Sequence, residues 1–357
     1  MNSDFLIIGA GVIGLSSAIA LIQRGAKVTV LERGLTGRES SWAGGGILLP
    51  LCPWDYPDEV TRLTARGAAL FPAWAQELYA TTGIDPEYEV SGMLVLPPLR
   101  TEIAQQWCDS HEFPLQLVNV VDFLPNLQSD ALYMPKVAQA RNPRLMRALR
   151  ARVEMLGGQI IEQCEVQDIL SGNGRVCSLA TSAGVFNSQN FIVTAGAWSK
   201  HVLGRHALHI DIKPMRGQML LFKFNEPPLR YIVLQDGMYL IPRRDGHLLV
   251  GSTLEDVGFD KNITQEAQDS LRQRAEAILP QLREKPLVQH WAGLRPASPG
   301  NIPTIGRHPQ LENLYLHSGH YRYGLTMATA SVEILLNEIM NAPQQIDVSP
   351  YQAGWLP

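Results

Sequence analysis

The sequence predicts an α/β (α+β) protein organised as two interleaved domains, and three observations carry that expectation. The N-terminal stretch up to Glu32 reads as a complete strand, helix, strand unit. Two further strands that run into glycine-bearing junctions recur far downstream, at 190–194 and 313–317, so the N-terminal unit is completed by distant segments. Between them, 213–253 reads as successive strands with turns at Gln235-Asp236-Gly237 and Arg244-Asp245-Gly246. A chain of 357 residues is long enough for two such units.

Composition narrows the function before any motif is considered. The hydrophobic share is 45%, and 34 acidic against 30 basic residues leave a net charge of −4, the profile of an ordinary globular protein. Basic residues are scattered, which speaks against nucleic acid and for a small-molecule partner. Cys52, Cys108, Cys164 and Cys177 form no CxxC pair and no zinc-ligand spacing, so each is expected to be a small buried hydrophobe in a reducing cytoplasm, with no metal site. The run 5–22 is uncharged, but Asp4 precedes it and no Lys or Arg does, which argues against a signal peptide. Three glycines and two serines interrupt it, which argues against a membrane span.

Those glycines have a chemical use. Residues 5–8 form a short buried strand, Gly9-Ala10-Gly11-Val12-Ile13-Gly14 a turn, 15–24 a helix that stops at Gly25, and 27–31 a second strand ending in Glu32. Gly9 permits the tight turn, Gly11 lets backbone approach a pyrophosphate, and Gly14 lets helix and strand pack closely. The helix offers its positive end to the phosphates. Glu32 can accept from both hydroxyls of an adenosine ribose and would repel a 2′-phosphate, so NADP is disfavoured. This fingerprint does not by itself separate NAD from FAD.

The rest of the chain separates them. In 37–49, Ser40 and Ser41 precede Ala43-Gly44-Gly45-Gly46-Ile47, a loop suited to lie against something flat and polar. Asn142-Pro143 opens a helix to about 156, Gly157-Gly158 closes it, and 159–166 is strand-like. The strand at 190–194 ends in Ala195-Gly196-Ala197-Trp198-Ser199. The strand at 313–317 runs into Ser318-Gly319-His320-Tyr321-Arg322-Tyr323-Gly324, and a long helix follows to about 340. A long, extended FAD needs such distant junctions, and the helix near Gly324 can aim its N-terminus at the flavin's pyrimidine edge.

Taken together, IIGAGVIG with Glu32, ESSWAGGGIL, FIVTAGAWS, MYLIPRRDGHLLVGST, WAGLRP and GHYRYGLT resemble the D-amino-acid-oxidase superfamily. Within it they are similar to the glycine oxidases of thiamine biosynthesis, and the resemblance runs nearly end to end. It implies a discontinuous Rossmann-like FAD domain with a parallel sheet (1–49, 142–205 and 305–345). It also implies a substrate domain with a mixed, largely antiparallel sheet (50–141 and 206–304). By the same resemblance Arg295 anchors a substrate carboxylate, to which its planar fork is matched. Tyr239 is the active-site tyrosine, Arg322 a flavin-loop arginine, and Ile47 and Leu254 line the substrate pocket. Cofactor contacts are expected from Gly9, Gly11, Val12, Ile13, Gly14, Glu32, Arg33, Ser40, Ser41, Gly45, Gly46, Ile47 and Val166. They continue through Thr194, Ala195, Gly196 and Trp198 to Gly319, His320, Tyr321, Arg322, Tyr323, Gly324, Leu325 and Thr326. The FAD is non-covalent.

The resemblance implies an oxidase that takes a hydride from the carbon beside the amine of a small amino acid, with oxygen as acceptor, working as a homo-oligomer. Departures stand at Leu234, Gly237 and Leu254, where glycine oxidases can carry polar, aromatic or methionine side chains, and at the bulky Trp42. They imply a wider, more apolar pocket for larger amino acids, N-methyl glycine or primary amines. A dehydrogenase passing electrons to another acceptor is the enzymatic alternative, and a flavin-binding scaffold the non-enzymatic one.

Overall fold

The computed structural model describes residues 3–356. A six-stranded sheet runs in the order Thr304–Arg307, Leu314–Ser318, Ser188–Val193, Ser3–Ile8, Val28–Leu31, Gln159–Ile161. Every neighbour is parallel except Thr304–Arg307, which returns antiparallel to Leu314–Ser318. The central strand registers Ile8 with Val193 on one side and with Leu31 on the other. A strand covered on both faces reads as an unbroken apolar run, which is why Phe5 to Ile8 carries no alternation.

The first helix is Val12–Ile22, beginning three residues before the expected start and stopping two before the expected end. The third glycine of the turn lies inside the helix, where glycine is needed because a Cβ on Gly14 would stand 2.0 Å from the Gly9 carbonyl oxygen. At the other end Gly25 takes a φ of 91° and turns the chain into the next strand. The expected strand 159–166 is two elements. Gln159–Ile161 joins the parallel sheet, while Val166–Gly172 pairs antiparallel with Arg175–Thr181 in a separate three-stranded sheet. The break wraps the end of Val28–Leu31: Gln163 adopts a left-handed φ of 55° and the Cys164 amide donates to the Glu32 carbonyl at 2.8 Å.

The second sheet has eight strands in the order Leu287–Ala297, Lys213–Lys223, His247–Gly251, Met238–Pro242, Ile232–Gln235, Met93–Val95, Asp130–Met134, Gln116–Asn119. It is antiparallel except where Ile232–Gln235 meets Met93–Val95, so it is the mixed, largely antiparallel sheet expected. Both expected turns are present, with left-handed φ at Asp236, Gly237 and Gly246.

One long helix departs from the expected partition. Asp58–Thr82, placed with the second domain by its position in sequence, shares its apolar core with the first helix and with Gly324–Met340. Gly67 lets the two backbones meet, since a Cβ there would stand 1.9 Å from the Thr326 carbonyl oxygen. Arg66 then clamps Glu333 through two bonds of 2.5 and 2.7 Å. Two of the cysteines also depart from expectation: Cys108 and Cys164 are buried, but Cys52 is half-buried and Cys177 exposed.

Candidate active site

A continuous cleft of about 1810 Å³, counting the solvent at its mouth, is lined from both sheets. At one end it is a dinucleotide cradle. Gly11 precedes the first helix with no side-chain cap, so the helix's positive end faces the cleft. The Val12 amide donates to Ser41 Oγ at 2.9 Å, which ties the serine loop to the glycine turn. Within 37–49, expected as loop throughout, Ser40–Ala43 forms one short helical turn.

Glu32 is buried and holds that turn together. Its Oε2 accepts from the Ala10 amide at 2.8 Å and its Oε1 from the Gly34 amide at 2.9 Å. Each carboxylate oxygen keeps a lone pair for a ribose hydroxyl. Beside it the Arg33 guanidinium lies 3.5 Å from the centroid of the Trp198 ring. Deeper in, His317 and His320 are fully buried with ring centroids 5.2 Å apart. Burial pushes His317 well below the ordinary histidine range and His320 down to about 3, so both are neutral at neutral pH. The Nε2 of each lacks a protein partner, although both side chains line the cleft. Orphaned buried polar atoms of this kind call for a polar ligand, and an extended dinucleotide fits the cradle.

At the other end the floor is one face of the eight-stranded sheet, hollowed by glycine. A Cβ on Gly217 would meet Arg295 Nη1 at 2.1 Å, one on Gly251 the Met219 Sδ at 2.1 Å, and one on Gly293 the Ala43 Cβ at 2.5 Å. In the space so left, half-buried Arg295 donates from Nη2 to Ser252 Oγ at 2.5 Å and from Nη1 to the Thr253 carbonyl at 3.2 Å. Among the described residues no carboxylate lies within 4 Å of it, so its role is not that of a structural ion pair. Two of its five N–H groups are engaged and three remain for a ligand. Tyr239 is buried alongside, its hydroxyl donating to Met219 Sδ at 3.4 Å.

The wall facing this floor is Gly44–Ile47, and a buried cation holds it. Arg243, 4% exposed, donates to the Gly45 carbonyl at 2.7 Å, to Gln139 Oε1 at 2.7 Å and to the Ala140 carbonyl at 3.1 Å. Burial lowers its pKa to about 10, leaving it charged at neutral pH. The loop 319–324 is tied to the strand of Arg295 by the Tyr321 amide on the Pro296 carbonyl at 3.1 Å and by Ser298 Oγ on the Gly319 carbonyl at 2.6 Å. Arg322 lines the cleft with its Cζ 5.4 Å from the Tyr321 ring centroid, and no carboxylate among the described residues is within 4 Å of it.

Most residues expected to form the site stand on this one cleft. They are Gly9, Gly11, Val12, Ile13, Glu32, Arg33, Ser40, Ser41, Gly45, Gly46, Ile47, Val166, Thr194, Ala195, Gly196, Trp198, Tyr239, Arg295 and the run from His320 to Leu325. Gly14, Gly319 and Thr326 lie behind the wall. Thr326 is fully buried, and Gly14 packs on the Gly9 carbonyl. Leu254 is 48% exposed and off the cleft, because the chain turns outward once it leaves His247–Gly251. Leu234, Gly237 and Trp42 are also off it, Leu234 in the core and Trp42 packed edge-on against Trp291 with centroids 5.5 Å apart. The substitutions expected to widen the pocket therefore do not form its wall. What does form it, beyond expectation, is Leu49, Leu51, Met219, Ser252, His317 and Asn142. A single glycine in each of three apolar strands, at 217, 251 and 293, and the doubled arginine of PRRDG were the available signals; Met219 reads as ordinary core.

Comparison with known proteins agrees with this fold. Residues 4–337 match the DAO family, described as FAD dependent oxidoreductase. The chain is 44% identical to a glycine oxidase of Pseudomonas aeruginosa and 41% identical to one of Pseudomonas putida, each time over 98% of both proteins. Its fold superposes on the crystal structure of glycine oxidase from Geobacillus kaustophilus with a TM-score of 0.91 and 26% identity, covering 98% of each chain. The chain belongs to the DAO family of FAD-dependent oxidoreductases.

Proposed function

We propose that the protein is an oxidase acting on glycine or a similarly small amino acid, converting substrate, oxygen and water to oxo acid, ammonia and hydrogen peroxide. The single observation that carries the reading is Arg295, a cation beneath a cleft with no acidic partner and three N–H groups to spare. Its fork would hold the carboxylate, while Ser252 and the Thr253 carbonyl keep the guanidinium from following the substrate. Tyr239, held by Met219, would present its hydroxyl lone pairs to the amine. When bound, FAD accepts the hydride from the carbon beside the amine. The depressed His317 and His320 are poor bases, so the amine would enter neutral and need no protein base. Water then hydrolyses the imine product.

The cofactor contacts are proposed as the cleft-lining residues from Gly9 to Leu325, with Arg322 closing over the site. The FAD domain is proposed to comprise 1–49, 142–205 and 305–345 together with the helix Asp58–Thr82. No helix among the described residues is long and apolar enough to cross a membrane, and a cytoplasmic homo-oligomer is the assembly we favour. The apolar wall of Leu49, Leu51 and Met219 favours a second reading in which N-methyl glycine is also a substrate. An anaerobic screen of flavin bleaching with glycine, sarcosine, D- and L-amino acids and primary amines tests both, with peroxide measured under air. Bleaching by glycine or sarcosine with stoichiometric peroxide supports the oxidase. Bleaching without peroxide would replace it with a dehydrogenase, and no bleaching by any amine would reject it.

A further inference from the structure

The segment 254–263 connects the strand His247–Gly251 to the helix Gln265–Ile278 and serves neither the substrate pocket nor either core. Its stem is nonetheless firmly anchored. Arg216, 4% exposed, forms a two-way backbone bridge with Glu255 and bonds Glu255 Oε2, Asp260 Oδ2 at 2.7 Å and the Asn262 carbonyl at 2.9 Å. Gln218 Nε2 adds a bond to Glu255 Oε1 at 2.9 Å, and its Oε1 accepts the Thr264 amide at 2.9 Å. Burying a guanidinium is costly unless its partners are satisfied, so this network holds a shape rather than filling space.

The tip reaches the far end of the dinucleotide cleft. The Phe259 ring, 48% exposed, lies against Trp198 with centroids 5.4 Å apart and planes at 31°. Lys261 Nζ pairs with Glu39 Oε1 at 3.0 Å, and the same oxygen accepts Arg33 at 2.8 Å. Arg33 in turn covers the Trp198 ring. Trp198, Arg33 and Glu39 all line the cleft beside Glu32, whereas Phe259 and Lys261 do not. Two residues of the connection therefore restrain three residues of the adenosine end without touching the ligand space.

We propose that 254–263 is a fixed buttress of the cofactor site, in which Phe259 and Lys261 hold Trp198, Arg33 and Glu39 closed over the adenosine half of FAD and slow its release. Trp198 is half-buried and has cleft on one side, so without Phe259 only Arg33 holds its ring to the wall and an exit opens more readily. Leu254 is part of this buttress. The inference rests on the chain binding FAD and is independent of which substrate it oxidises.

The test is the rate of FAD release, followed as free-flavin fluorescence after dilution of the holoenzyme, with no substrate present. Phe259→Ala should release FAD about threefold to tenfold faster, the range an aromatic pair supports, while Phe259→Tyr, which keeps the ring, should match the wild type. Lys261→Glu, which places two carboxylates together, should also accelerate release and keeps the test open if Phe259→Ala does not fold. Wild-type release rates in Phe259→Ala and Lys261→Glu would overturn the proposal, as would equal acceleration by Phe259→Ala and Phe259→Tyr.

Discussion

Adding one methyl group at Gly217 should disable the carboxylate anchor without touching it. An alanine Cβ there would stand 2.1, 2.3 and 2.4 Å from Nη1, Nη2 and Cζ of Arg295, well inside contact distance. The obstructed group is the end of a flexible side chain, and the strand backbone accepts alanine, so the fold survives and the guanidinium moves by about 1 Å or more. A displacement of about 1 Å at a positioning group costs on the order of 100-fold in rate. Losing one charge-assisted bond of about 1.5–3 kcal/mol corresponds to roughly 10- to 160-fold, a range whose upper part includes that figure. Gly217→Ala should therefore lower kcat/KM for glycine about 100-fold, keep its FAD, and spare a primary amine that has no carboxylate. Arg295→Ala should show the same selectivity. The decisive measurement is the double variant: once Arg295 is truncated the added methyl has room, so Gly217→Ala should cost almost nothing further. If the two losses instead add, or if glycine and the plain amine suffer equally, Gly217 is not there to seat Arg295.

Three other outcomes are expected. Gly14→Ala brings a Cβ to 2.0 Å from backbone at Gly9, where nothing flexible can yield; the variant should bind FAD far more weakly by apoprotein titration, and wild-type affinity would contradict the proposed cradle. Arg243→Met leaves the Gly45 and Ala140 carbonyls and Gln139 Oε1 without a donor, at about 1 kcal/mol each. Its melting temperature should fall, Arg243→Lys should recover part of the loss, and an unchanged melt would refute the clamp. Finally, His317 and His320 have folded pKa values depressed below the unfolded value near 6.5, so the stability they contribute is complete above about 6.5 and is lost as pH falls toward His320's value of about 3. His320→Asn should flatten the acid limb of stability against pH by about one proton's slope, roughly 1.4 kcal/mol per pH unit, while parallel limbs would show that its burial is not maintained.

Much of the dinucleotide half was legible because its signals are local. Gly9, Gly11, Gly14 and Glu32 fall at the spacing of one strand, helix, strand unit, and Gly14 against the Gly9 carbonyl and Glu32 against the Ala10 and Gly34 amides are contacts made within that unit. The strand boundaries were less so: 159–166 is apolar enough for one strand, and only the need to wrap Glu32 splits it. Leu254 was misplaced for a related reason. The resemblance placed it on the pocket, and the outward turn is set by Arg216 on the neighbouring strand, 38 residues earlier in sequence.

Amino-acid order alone determined the βαβ unit and the expectation of an unphosphorylated ribose, since these depend on residue type and short spacing, whereas the mixed second sheet and the carboxylate role of Arg295 came from the resemblance of several motifs taken together. Only tertiary structure decided that Gly217 faces Gly293 and that Gly251 faces Met219 two residues along to hollow the floor, that Asp58–Thr82 packs with the first sheet, and that Met219, Arg243 and His317 serve the cleft. A side chain's role there depends on which remote backbone it meets, and strand register carries that information where sequence spacing does not.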